Sequence, residues 1–332
     1  MSQFDVLSIG DVVTDAFIKL LPDEAHTYDN EHGKWLAMQF GTKLPYDHVE
    51  VIQGVGNAAN AAVAFSRLGL NTGFVTNVGA DQEGREIIIA LGKEKVDHTL
   101  IRVNPGFKSN YHYVLCYGAE RTILIKHEAY DYHWPHLRPV EVPKWVYFSS
   151  ISDHAIEYHD QVADWLEANP DVKLAFQPGT FQMEAGVERL KRLYARTELL
   201  ALNREEAALV SGGSVDDLHD LFNRLHDIGP KIVVISDGPS GAYASDGHNR
   251  FKMPIYPDPG PPVDRTGAGD AFTSTFVAAI IKGNSIEGAL QWAPINSMSV
   301  VQKVGAQAGL LSEKELEDYL KDSPDWYHPD RM

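Results

Sequence analysis

At 332 residues, with 44% hydrophobic and 23% charged side chains, the chain has the composition of a folded globular protein and not of a disordered one. Its formal net charge of −17 argues against a general attraction to phosphate backbones, so nucleic acid is not an expected partner. No run approaches the ~18 consecutive apolar residues of a membrane span. The N-terminus, "MSQFDVLSIGD", has no basic segment followed by a long apolar one, so a cytoplasmic location is expected. The single cysteine, Cys116 in "YHYVLCYG", permits no internal disulfide, fits a reducing compartment and reads as core packing.

Along the chain, short β-rich runs alternate with helical patterns. "FDVLSIG" predicts a first strand, "NAANAAVAFSRLG" a helix closed by Gly69, "GFVTNVG" a strand and "DQEGREIIIALGKEKV" mostly helix. "KWVYFSS", "VKLAFQPG", "ELLALN" and "KIVVISDG" follow as strands separated by amphipathic stretches such as "EYHDQVADWLEAN". This alternation predicts βαβ units and a parallel sheet covered on both faces, with ligands beyond the carboxyl ends of the strands. Two regions break it: residues 16–53, without a convincing helix, and residues 108–127, a hairpin turning near Gly118 to Arg121. Together they predict a small β-structure projecting as a lid. A second hairpin turns at Asp246-Gly247, and Pro294 is expected near the start of a new helix.

Several motifs carry chemistry. "QGVGNAANAA" places Gly54, Gly56 and Ala59 on the relaxed dinucleotide fingerprint, but the preceding run alternates with charge and the next strand ends in Asn77, not an acid. A hinge with close backbone approach to a small ligand fits better, with Asn60 either capping the helix or aiming an amide at hydroxyls. No P-loop is present. Asp11 and Asp15, after the first strand, suit hydrogen bonds from sugar hydroxyls, against the plainer reading of loop carboxylates. Asn203 and Glu206 in "ALNREEAALVSG" stand at i and i+3, either to organise Mg²⁺ through its waters or simply as a helix cap. "ISDGPSGAY" closes a strand with Asp237, Gly238 and Gly241, a turn where a nucleotide can approach the backbone. His127, His133 and His136 fit no strong metal-ligand spacing. Finally, "DRTGAGDAF" sets Asp264 and Asp270 around Gly267, Ala268 and Gly269, directly before an apolar helix. Asp270 is either a cap or a base beside an anion held by those N–H groups.

On "DRTGAGDAF" and "VGNAANAAVAFSRLG" the chain resembles the ribokinase-like (PfkB) family of carbohydrate kinases. The N-x-x-E motif at Asn203 to Glu206 and the glycine turn after "VVISDG" stand where that family has them, and the likeness runs from about residue 4 to 320. It implies one kinase domain over residues 1–332, with an α/β Rossmann-like fold, a mostly parallel sheet flanked by helices and a small β-sheet lid from residues 16–53 and 108–127. By the same resemblance ATP donates its γ-phosphoryl group to a hydroxymethyl oxygen of a sugar, with Asp270 as base and Gly267, Ala268 and Gly269 as the anion hole. Asp11, Asp15, Gly56 and Asn60 would bind the acceptor; Asn203, Asp237, Gly238, Gly241 and Thr266 would line the ATP site. Glu206 and Asn203 would support Mg²⁺, Asp264 a monovalent cation such as K⁺, and the lid would pair two copies into a homodimer. A nucleoside kinase of the same fold is the nearest alternative, and a non-catalytic sugar- or nucleotide-binding protein the more distant one. Val55 stands where the family has the first of two glycines, and Pro294 implies mainly apolar contacts to the nucleobase.

Overall fold

The computed structural model describes residues 4–31, 33–118 and 120–332. A ten-stranded sheet forms the core. Val6–Ile9, Thr72–Gly79, Ile101–Asn104, Trp145–Phe148, Lys173–Phe176, Thr197–Asn203 and Ile232–Ser236 run parallel within it. Most of these runs are apolar and almost wholly buried because helices cover both faces. An antiparallel edge follows: Ala242–Ser245, Arg250–Met253 and the short Asp330–Arg331. The first two are joined by the expected Asp246-Gly247 turn, where Asp246 N–H donates to Asn249 C=O at 3.2 Å.

The chain starts in mid-sheet. From Val6–Ile9 it builds outward through Thr72–Gly79 to Ile101–Asn104, then returns to Trp145–Phe148 on the other side. This reversal leaves a crevice beyond the carboxyl end of Val6–Ile9, where an open α/β sheet gathers its ligands. Asp11 sits there, two residues past the strand.

Side-chain alternation sends Leu7 and Ile9 to one face, against helices Ile156–Ala168, Val187–Arg196 and Leu218–Asp227. Val6 goes to the other, with helices Asn57–Arg67, Ala268–Ile281 and Ile286–Val301. Ala58, Ala59, Ala61, Ala62 and Ala64 are all buried along Asn57–Arg67, and such small side chains let a neighbouring helix come close. Asn57–Arg67 packs on Ala268–Ile281, and Asn57 and Asn60 thereby face the first turn of that second helix. Gly69 closes Asn57–Arg67 as expected, its N–H on Ser66 C=O at 3.0 Å. Pro294 corrects the expectation: it lies inside helix Ile286–Val301, which Ser285 caps, and not at a helix start. Its position is set by burial against the core, which outweighs the one backbone hydrogen bond a mid-helix proline removes.

The smaller sheet contains Tyr46–Val55, Val13–Leu20, Tyr111–Tyr117 and Glu120–Leu124 in that order. Val13–Leu20 pairs antiparallel with Tyr46–Val55 and parallel with Tyr111–Tyr117. Tyr111–Tyr117 and Glu120–Leu124 pair antiparallel as the expected hairpin, and Ala119, within the expected turn, lies outside the described residues. A separate two-stranded ribbon, Ala25–Asn30 with Gly33–Met38, is nearly all exposed. Cys116 is not a core residue as expected: it is half-buried on a strand of this smaller sheet in which only Val114 is fully covered. Among the described residues no helix is long and apolar enough to cross a membrane.

Candidate active site

Helix Ala268–Ile281 begins abruptly. Its N-cap, Gly267, is left-handed at φ 79°, and a Cβ there would stand 2.3 Å from Ala306 Cβ, so only glycine fits. Asp264 shapes the turn before it: one carboxylate oxygen accepts from Thr266 N–H at 2.9 Å and Thr266 Oγ1 at 2.7 Å, the other from Gly305 N–H at 2.9 Å. The first turn thus presents N–H groups without intrahelical partners at the positive end of the helix dipole. Of the three expected anion-hole donors, Ala268 makes a long 3.4 Å contact to Arg265 C=O within the turn itself.

Asp270 is buried in that first turn, and Gly267 receives no side-chain cap bond. Its oxygens are taken by side chains from elsewhere: Asn57 Nδ2 donates to Oδ1 at 2.9 Å, Asn60 Nδ2 to Oδ2 at 2.9 Å and Gln177 Nε2 to Oδ1 at 3.3 Å. Burial pushes the Asp270 carboxyl up from its ordinary range, and the Asn60, Asn57 and Gln177 amides pull against that rise. The capping reading of Asp270 therefore fails. So does that of Asn60, because the N-cap of its helix is Gly56 and the Asn60 amide points to Asp270.

A cleft of about 270 Å³ opens beside this helix start, lined by Gly238, Gly241, Ala268 and Gly269 and walled by apolar groups including Phe272, Pro294 and Met298. Asp237 is not part of the lining. Its carboxylate is 2.6 Å from Arg204 Nη1, on the strand-to-helix corner. Gly241 is required by packing as well, because a Cβ there would come 2.1 Å from Met253 C=O. Asn203 and Thr266 also lie outside the lining, engaged in the cap described next and in the Asp264 turn. Asn203 and Glu206 form a reciprocal capping box: Asn203 N–H donates to Glu206 Oε2 at 2.9 Å and Glu206 N–H to Asn203 Oδ1 at 2.8 Å. The Glu206 carboxyl is raised, chiefly by burial, with the Asp270 charge adding to the rise.

On the other side of Asp270, Asp11 is buried and fully engaged. It accepts from Tyr132 OH at 2.8 Å and Ser152 N–H at 2.9 Å, and His127 Nδ1 lies 3.0 Å from its Oδ2. These contacts leave little of it for an acceptor, contrary to the expectation of a free binding carboxylate. Asp15 differs. His112 Nδ1 lies 3.4 Å from its Oδ1, yet neither Asp15 Oδ1 nor His112 Nε2 has a hydrogen-bond partner. Buried polar atoms left this way are uncommon and suit a ligand's hydroxyls. The His127 ring also meets Phe181 edge-on at 5.8 Å and His112 at 5.4 Å, so aromatic rings flank these two carboxylates. Gly56 stands close to Asp11 C=O.

Asn57, Gln177, His112, Tyr132 and Gln307 escaped the sequence reading. His127 was legible as one of three clustered histidines and, with Lys108, Arg121 and Lys126, as a lid cation able to fold over the acceptor; it joins Asp11, whereas His133 pairs with Asp131. Among the described residues no metal-ligating group of three or more His, Cys, Asp or Glu occurs.

The comparisons with known proteins bear on the family and the fold. The chain is 24% identical over 315 residues to an ATP-dependent 6-phosphofructokinase of Thermoanaerobacterium thermosaccharolyticum, covering 92% of this chain and 90% of that one. It is 27% identical over 271 residues to a ribokinase of Bacillus subtilis, covering 80% and 87%. The fold superposes with a TM-score of 0.77 on Arabidopsis thaliana ribokinase complexed with ribose and ATP, at 22% identity and covering 97% and 99% of the two chains. Residues 47–313 match the family described as pfkB family carbohydrate kinase, and with Asp270 and its glycine turn inside that span, the chain belongs to the pfkB family.

Proposed function

We propose that the protein transfers the γ-phosphoryl group of ATP to a hydroxymethyl oxygen of a neutral polyol, a free sugar in the first place and a nucleoside in the second. The observation that carries this reading is Asp270: a buried carboxylate, raised by desolvation, at a helix N-terminus that also lines a nucleotide-sized cleft. Phosphoryl transfer needs positioning and charge stabilisation more than covalent chemistry. Asp270 takes the proton of the attacking hydroxyl, and the first-turn N–H groups stabilise the charge that gathers on the phosphoryl oxygens. A non-catalytic binding protein has no use for a costly buried carboxylate at that point.

Glu206 and Asn203 fit a Mg²⁺ ion held through its waters, because burial and the nearby Asp270 charge leave Glu206 favouring a cation. Bound there, Mg²⁺ would neutralise phosphate charge during transfer. The apolar cleft walls support the adenine end of ATP.

The acceptor is read as neutral from where the lid cations go. Arg121 Nη1 lies 3.8 Å from Asp264 Oδ1, and Lys126 pairs with Glu128. Neither is a clamp on the Asp15–His112 pocket, where a phosphate would meet like charge. We read the smaller sheet as a lid over a single kinase domain. Its exposed Tyr46, Val49, Val51, Ile123 and Leu124 support pairing with a second copy, which light scattering of the purified protein would test.

The test is ADP release across free sugars, nucleosides and sugar phosphates, with wild type and Asp270→Asn. The variant should keep ATP binding and lose turnover by about 10²–10⁴-fold, since an amide cannot take the proton. Near-normal turnover would remove Asp270 from the mechanism. A sugar phosphate preferred over its parent sugar, as the name of the phosphofructokinase relative suggests for that protein, would overturn the neutral-acceptor reading.

A further inference from the structure

The amides around Asp270 are themselves held. An amide side chain can turn either its NH₂ or its C=O toward a carboxylate, and only the first is attractive. Gln177 follows strand Lys173–Phe176, and its backbone N–H continues the ladder to Phe148 C=O at 2.9 Å. Its Oε1 accepts from the hydroxyl of Tyr147, on the neighbouring strand Trp145–Phe148. Tyr147 is fully buried and its ring packs edge-on against Phe65 at 5.2 Å. Burial, with the Asp270 charge added, keeps that hydroxyl a phenol, so it retains the proton it donates to Gln177 Oε1. Asn60 repeats the pattern: its Oδ1 accepts from Gln307 Nε2 at 3.0 Å, and Gln307 also donates to Gly54 C=O at 2.8 Å.

We propose that Tyr147 and Gln307 are positioning residues that hold the Gln177 and Asn60 amides with their N–H groups toward Asp270, so that oriented neutral donors aim the base and favour its ionised form. The proposal rests on the reading of Asp270 as base. No lysine or arginine among the described residues offsets the burial of its charge; the groups facing it are the amides Asn57, Asn60 and Gln177, the Tyr147 phenol and the like-charged Glu206. With no basic side chain beside it, each oriented amide counts, because a hydrogen bond to the charged form lowers a buried carboxyl. The cluster joins four separate parts of the chain: the start of Asn57–Arg67, two adjacent strands and the segment after Ile286–Val301.

The sign follows directly. Losing a donor to the carboxylate raises the pKa of Asp270, so activity should vanish at higher pH on the acid side. Gln177→Met removes the donor, and Tyr147→Phe removes only the lock. Gln177→Met should move the midpoint up by about one to two units and Tyr147→Phe by less.

The experiment titrates full-length protein carrying ¹³C-labelled aspartate carboxyls by NMR, with Asp270→Asn identifying the resonance, and records the acid limb of kcat beside it. Both readouts should shift upward together in Gln177→Met, Tyr147→Phe and Gln307→Leu. Gln177→Glu should shift the midpoint furthest, because a second carboxylate replaces the donor. An unshifted NMR midpoint in folded Gln177→Met and Tyr147→Phe would overturn the positioning role. A shifted NMR midpoint with no corresponding movement of the kcat limb would instead spare the positioning and reject Asp270 as the base.

Discussion

Gly267 and Gly269 stand two residues apart in one turn, yet the structure gives them opposite reasons to be glycine. At Gly267 a methyl group would need the left-handed conformation, costing about 1–2 kcal/mol. It would also stand 2.3 Å from Ala306 Cβ and 2.6 Å from Ala306 Cα, and backbone cannot rotate aside. Overpacking of that kind typically adds about 1–3 kcal/mol, so Gly267→Ala should lose roughly 2–5 kcal/mol of stability in total. At Gly269 a Cβ meets no protein atom within 4 Å, and the residue is helical and lines the cleft. Alanine there should leave stability unchanged or raise it by up to ~1 kcal/mol through helix propensity. Its methyl group would, however, project where the phosphate is proposed to sit, and obstructing an anion hole costs on the order of 10²-fold in rate. Urea denaturation midpoints and initial rates of ADP release, measured on both variants, separate the two roles. A Gly269→Ala enzyme with wild-type rates would place the anion elsewhere, and a fully stable Gly267→Ala would refute the packing argument.

Further outcomes follow from the same geometry. Glu206→Gln keeps the capping box, since glutamine serves as well at that position; its stability should hold while the Mg²⁺ concentration for half-maximal rate rises, and an unchanged Mg²⁺ dependence would leave the pair as a cap only. Asp15→Ala should raise the acceptor KM about 10-fold or more with the ATP KM little changed, tenfold being 1.4 kcal/mol; equal effects on both would remove Asp15 from the acceptor site. Replacing K⁺ by a bulky organic cation should lower the rate if a monovalent ion sits near Asp264, and equal rates would assign that carboxylate to folding the turn alone.

Much of the scaffold was legible because it is written in local periodicity. Buried parallel strands need continuous apolar runs, and Val6–Ile9, Trp145–Phe148 and Ile232–Ser236 carry them. The glycine turn before Asp270 was legible for a similar reason: its backbone demands particular residues. The amides were not. Asn57, Gln177 and Gln307 look like any neutral polar side chains, and their common purpose appears only once segments 250 positions apart meet, as Gln307 and Asn57 do around Asn60 and Asp270. Pro294 misled because a proline's local preference for a helix start gave way to the packing of its neighbours. The Asn203–Glu206 spacing was compatible with both a cap and a metal site, and the two uses do not exclude each other.

Strand Tyr46–Val55 of the smaller sheet and helix Asn57–Arg67 of the core are separated by one residue, Gly56. The lever and the load are therefore nearly continuous chain. Any swing of the smaller sheet about Gly56 turns the end of the helix that carries Asn57 and Asn60, and with it two of the three N–H groups that hold Asp270. Asp15, on the adjoining strand, is paired with Ile52 of the same lever. Were an acceptor held at Asp15 to fix that lever, the base would be complete only in its presence, and ATP would be guarded from water by the incompleteness of the base and not by a separate gate.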